Sequence, residues 1–112
     1  MIGPDDPGSS LESELTKDAL AAHLKEVKER HPSALAYYRI LAARGPLPKS
    51  VVEHDLCLAL GEPFDPNRFI LVQKWITSGL VRKGQERIDE FTPEGFRIKP
   101  KHLAAVRAAL AE

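Results

Sequence analysis

Apolar residues recur at spacings of three and four through most of this chain, and a proline or glycine interrupts each run, which predicts a series of short amphipathic helices. Leu20, Leu24 and Val27, with Leu11 and Leu15 before them, form the first stripe, and Pro32 ends it. Two starts compete: Ser9 stands three residues before Glu12 in the spacing of a capping box, and Thr16 follows Leu15 with Leu20 placed to complete a hydrophobic staple. A second helix is expected from Ser33 through Leu35, Tyr38 and Leu41 to Gly45, and a third from Lys49 to Leu60 before Gly61. Asp65 before Pro66 opens a fourth, since an acceptor side chain precedes a proline whose fixed φ suits a first turn.

Gly79, between Thr77-Ser78 and Leu80-Val81, reads as the left-handed glycine after a helix over residues 66–78. The polar run Arg82 to Arg87 then separates Leu80-Val81 from Ile88 to Phe91, and Gly84 at its centre predicts a hairpin over residues 80–91. Thr92-Pro93 is expected to cap a short helix, and Pro100 to kink it or open a last one holding Leu103, Val106 and Leu110. Gly61 to Asp65 becomes the turn of a helix-turn-helix. The fold class is therefore mostly α with a small β-hairpin wing: a helix-turn-helix over residues 32–98, an acidic Pro/Gly-rich tail at 1–10, and amphipathic helices at 11–31 and 99–112.

The segments Trp75-Ile76-Thr77-Ser78-Gly79-Leu80-Val81-Arg82 and Phe91-Thr92-Pro93-Glu94-Gly95 resemble the winged helix-turn-helix DNA-binding domains of MarR- and PadR-type regulators. The resemblance covers roughly Leu35 to Gly95 and implies a recognition helix, a wing and duplex DNA as partner. Near the start of that helix, where such regulators carry small or polar residues, this chain has Phe69 and Ile70.

Net charge over the 112 residues is zero, which turns attention to its distribution. Residues 1–30 carry a net −3 and 31–65 a net −1, whereas 66–100 carry +3 and the remainder +1. The excess coincides with the predicted recognition helix and wing, where phosphate contacts would lie. On a helical wheel, Phe69, Val72 and Ile76 share the core side, flanked by Trp75 and Leu71, with Asn67, Ile70, Gln73, Lys74, Thr77 and Ser78 opposite. Asn67 and Gln73 are candidates for adenine edges, Ile70 for a thymine methyl, and Lys74 with Thr77 for phosphates. Arg68 adds to the charge, and Arg82, Lys83 and Arg87 are the wing cations. The terminal stripes suggest a homodimer setting two such helices about one DNA turn apart. A second reading is a winged helix that binds protein, motivated by zero net charge and Ile70 on the free face.

Catalysis finds little support. His54, Asp55 and Cys57 diverge on a helix, Cys57 fits a core position, and His23, His31 and His102 fall on exposed or helix-end positions without a partner. One cysteine excludes an internal disulfide, no zinc-ligand spacing occurs, and no cofactor loop is present, so a non-enzyme without metal is expected. No secretory leader or membrane span is readable, and a cytoplasmic transcription regulator is the resulting expectation.

Overall fold

The computed structural model describes residues 15–111, which form five helices and one two-stranded hairpin. In chain order these are α1 (Lys17–Arg30), α2 (Pro32–Arg44), α3 (Lys49–Leu60), α4 (Pro66–Val81), β1 (Asp89–Thr92), β2 (Gly95–Ile98) and α5 (Pro100–Leu110). The Ser9 start lies outside the described residues. Thr16 caps α1, accepting from the Ala19 amide at 3.0 Å, and Asp65 caps α4 by accepting from the Asn67 amide at 3.0 Å. Prolines occupy the first turn of α2, α4 and α5, where their missing N–H costs nothing.

The fourth helix is longer than the sequence predicted, and Gly79 does not end it. Gly79 is helical and buried; Gly84, at φ 70°, is the residue that terminates the run. The Gln85 amide reaches back to the Leu80 carbonyl at 3.0 Å, the long bond of a Schellman closure, and Gly61 ends α3 the same way with Glu62 bonded to Cys57 at 3.0 Å. Gly84 is therefore a helix stop rather than a hairpin tip. A Cβ on Gly79 would sit 3.6 Å from the Trp75 ring, an ordinary contact. Gly79→Ala is thus expected to raise stability by about 0.5–1 kcal/mol in urea unfolding, where a left-handed glycine would have lost stability.

The hairpin lies later than expected, over 89–98 instead of 80–91. Asp89 pairs with Ile98, Glu90 with Arg97, Phe91 with Phe96 and Thr92 with Gly95. Thr92-Pro93-Glu94-Gly95 is its turn and caps no helix: the Thr92 hydroxyl donates to the Gly95 carbonyl at 2.9 Å and accepts from the Glu94 amide at 3.2 Å. Leu47, between α2 and α3, exchanges backbone bonds of 2.9 and 2.8 Å with Phe96 and so adds a one-residue third strand to β2.

One core joins all the helices. Leu20, Leu24 and Val27 of α1 meet Tyr37, Tyr38 and Leu41 of α2, Leu56 of α3, Ile76 and Leu80 of α4, and Val106 of α5. α1 and α5 pack on each other and on α2, so the stripes that suggested pairing between two chains are covered within one. Arg107 fastens α5 by donating to the Ala42 carbonyl at 3.0 and 3.2 Å. Among the described residues, no helix is long and apolar enough to cross a membrane.

Candidate nucleic-acid interface on the fourth helix

α4 buries Phe69, Val72, Ile76, Gly79 and Leu80 and turns Asn67, Ile70, Leu71, Lys74, Ser78, Val81 and Arg82 outward. These seven fall within about a third of the helix circumference. Leu71, placed by the sequence at the edge of the core, is 56% exposed. Neither this arc nor the rest of α4 contains a carboxylate. An open depression runs along it, lined by Ile70, Lys74, Ser78, Val81 and Arg82 with the edges of Gln73 and Thr77.

The eight residues predicted to touch DNA divide into two groups. Asn67, Lys74 and Arg82 stand on the outward arc, and their side chains make no hydrogen bond or ion pair with other described residues. The other five are engaged inside the protein. Arg68 makes a two-pronged bond to Glu62 at 2.9 and 3.0 Å, and Lys83 reaches across to Glu26 of α1 at 2.8 Å, which holds the Glu26 carboxyl below its ordinary range.

Arg87 departs furthest from expectation. Its guanidinium grips Asp89 at 2.9 and 3.0 Å, donates to the Thr77 hydroxyl at 2.5 Å and bonds the Gln73 carbonyl oxygen. The Tyr37 hydroxyl donates to the same Asp89 carboxylate at 2.5 Å. Burial lowers the affinity of Arg87 for its proton, but the Asp89 bond and charge outweigh this and push its pKa up. Burial, reinforced by Asp89, raises the Tyr37 hydroxyl far above its usual range. Gln73 and Thr77, expected on the DNA-facing helix, and Arg87, expected on the wing, instead bond one another in an internal polar network. Arg87 and Asp89 stand two apart in sequence with opposite charges, which was the available signal.

The histidines also differ from the sequence reading. His23 is almost fully buried, 3.3 Å from the Tyr38 hydroxyl and stacked on Trp75, which also meets His31 at 4.1 Å between ring centroids. Burial, then the nearby Lys83 charge, lowers the His23 pKa from 6.5 to about 4. The unfolded chain accepts that proton near 6.5, while the native state refuses it until about 4. Stability therefore falls as pH drops through this window, by up to about 3 kcal/mol. Urea titrations at stepped pH are expected to reveal the decline, and His23→Gln to flatten it.

His102 is buried beside Glu86, 3.3 Å from one carboxylate oxygen. Glu86 accepts the Leu15 amide at 2.8 Å and both Lys99 and Lys101 at 3.0 Å, tying the start of α1 to the start of α5. Burial pushes the Glu86 carboxyl up, and these donors overcome it to leave the pKa at about 2. Cys57 is buried as expected, within 3.5 Å of the Asp65 carbonyl, and no group of acids, histidines and cysteines among the described residues is arranged to hold a metal.

No protein-family model, curated protein or solved structure matches the chain.

Proposed function

We propose that this chain is a winged helix-turn-helix module that binds duplex DNA through α4. Two features support the fold reading: the order α2, Leu47 strand, α3, turn, α4, hairpin is that of a winged helix, and β2 is flanked by Leu47 and β1 as the middle strand of a small sheet. The observation that carries the DNA reading is the outward arc of α4, which holds no carboxylate and presents Asn67, Lys74 and Arg82 free of partners among the described residues. Asn67 then faces base edges near the helix N-terminus, Ile70 a thymine methyl, and Lys74 and Arg82 the phosphates on either side. The hairpin turn bears Pro93 and Glu94, and Arg97 is held by Glu90 at 2.7 Å, so the wing adds shape and little charge.

Few free cations make a quantitative prediction. With Lys74 and Arg82 as the phosphate contacts, the logarithm of affinity for random duplex falls against the logarithm of salt with a slope of about −2, and Lys74→Ala or Arg82→Ala each reduces that slope by about one. Fluorescence anisotropy with a labelled duplex reads both quantities. Absence of binding at micromolar protein in low salt overturns the proposal. A regulator acting as a homodimer needs some surface other than the Leu20–Val27 stripe, because α5 and α2 already cover it.

A second reading is favoured by one observation. Ile70, Leu71 and Val81 are 53%, 56% and 51% exposed on the same arc, a row of aliphatic side chains that a protein partner could bury. A partner that survives nuclease treatment and is lost on Ile70→Asp supports that reading over DNA.

A further inference from the structure

The neighbouring hydroxyls of Thr77 and Ser78, both on exposed residues of α4, are used differently. Ser78 donates to the carbonyls of Lys74 at 3.2 Å and Trp75 at 3.4 Å, so its proton is spent on its own helix. The Thr77 oxygen instead accepts from the Arg87 guanidinium at 2.5 Å, and among the described residues its own proton has no acceptor. Arg87 is fixed in that position, because Asp89 holds it at 2.9 and 3.0 Å and the Gln73 carbonyl oxygen takes a further bond. A hydroxyl that accepts from a guanidinium is polarised, and its proton becomes the stronger donor.

Lys74 precedes Thr77 by three positions, the spacing of neighbours on a helix surface, and both line the depression along α4. An ammonium beside an outward hydroxyl proton, on a helix without a carboxylate, suits an anionic oxygen. We propose, on the reading of α4 as the DNA helix, that Thr77 and Lys74 share one backbone phosphate of the duplex, and that Arg87 is a positioning residue that aims the Thr77 proton without touching the DNA. Asp89 already neutralises Arg87, so a phosphate bound through Thr77 gains a donor and releases no counterion on its account. The contact therefore adds affinity without adding to the salt dependence that Lys74 and Arg82 set.

Fluorescence anisotropy with two labelled duplexes of unrelated sequence tests this. Thr77→Val keeps the branched shape and removes the hydroxyl; it is expected to weaken binding to both duplexes by about tenfold while the salt slope stays at its wild-type value. Thr77→Ser is expected to restore the affinity. A threonine with a structural role alone would lower stability in urea and leave affinity unchanged. Arg87→Lys keeps a charge for Asp89 but loses the planar fork that reaches Gln73 and Thr77 together, so it is expected to weaken binding in the wild-type background and not further in Thr77→Val. Additive losses overturn the role of Arg87, and the two Thr77 variants decide the phosphate contact whether or not Arg87→Lys folds. Equal binding by Thr77→Val and the wild-type protein overturns the contact and leaves the DNA reading standing. A loss confined to one duplex sequence places Thr77 on a base and overturns the phosphate assignment. Failure of the wild-type protein to bind either duplex overturns the DNA reading, and the Thr77 contact with it.

Discussion

Replacing Arg87 with alanine is expected to lower the stability of the fold by about 3–5 kcal/mol, because it bares a carboxylate that the fold has taken out of water. Asp89 is only 2% exposed, and Arg87 supplies two of its bonds while Tyr37 supplies a third. The loss would propagate, since Arg87 also donates to Gln73 and Thr77 and so fixes the side of α4 nearest the hairpin. Urea unfolding with a structural probe measures the effect. Arg87→Ala combined with Asp89→Asn is expected to recover part of the loss, because a neutral amide is less costly to leave poorly paired than an ion. A cation reserved for DNA phosphates would behave otherwise: its removal would cost little stability and appear in the salt slope of binding. Near-wild-type stability of Arg87→Ala would return Arg87 to the interface.

The same residue illustrates what the sequence conveyed. Periodicity located α2, α3 and α4, because apolar spacing and the punctuation by Pro32, Gly61 and Asp65-Pro66 act within a few residues of one another. Where two glycines competed, local rules could not choose. Gly79 and Gly84 each follow two polar residues after an apolar pair, and the decision came from tertiary packing: Leu80 is buried in the core, so the helix runs on past Gly79. Moving the stop by five positions moved the hairpin and turned Thr92 to Gly95 from a helix cap into a tight turn. The outward arc of α4 was mostly legible, since solvent exposure follows the wheel. Partnership was not legible. Arg68, Lys83 and Arg87 are basic in any listing of residue types, yet Glu62, Glu26 and Asp89 claim them, and two of those three pairings depend on how separate elements or a distant tyrosine come together.

Gly95→Ala is expected to be as damaging as the loss of Arg87, through backbone alone. A Cβ at that position would lie 2.2 Å from the Leu47 carbonyl oxygen, 2.3 Å from its carbon and 2.8 Å from the Pro48 nitrogen, and the residue sits at φ 128°, where L side chains are strained. Strain of about 1–3 kcal/mol adds to the loss of the two Leu47–Phe96 backbone bonds, each worth roughly 1 kcal/mol, for a total of about 3–5 kcal/mol. Leu47 cannot simply retreat. Gly45, two residues earlier, already approaches the hairpin so closely that its own Cβ would stand 3.4 Å from the Phe96 carbonyl oxygen and the Arg97 Cα. Gly84→Ala is the control: its φ is 70° but nothing lies within 4 Å, so only the left-handed cost of about 1–2 kcal/mol is expected. The contrast bears on binding as well as stability, because Phe96 packs on Phe69 at 5.2 Å and so sets the hairpin against the N-terminal half of α4. If Gly95→Ala unfolds no more easily than Gly84→Ala, the Leu47 strand does not hold the hairpin, and the third strand that supports the winged-helix reading is lost with it.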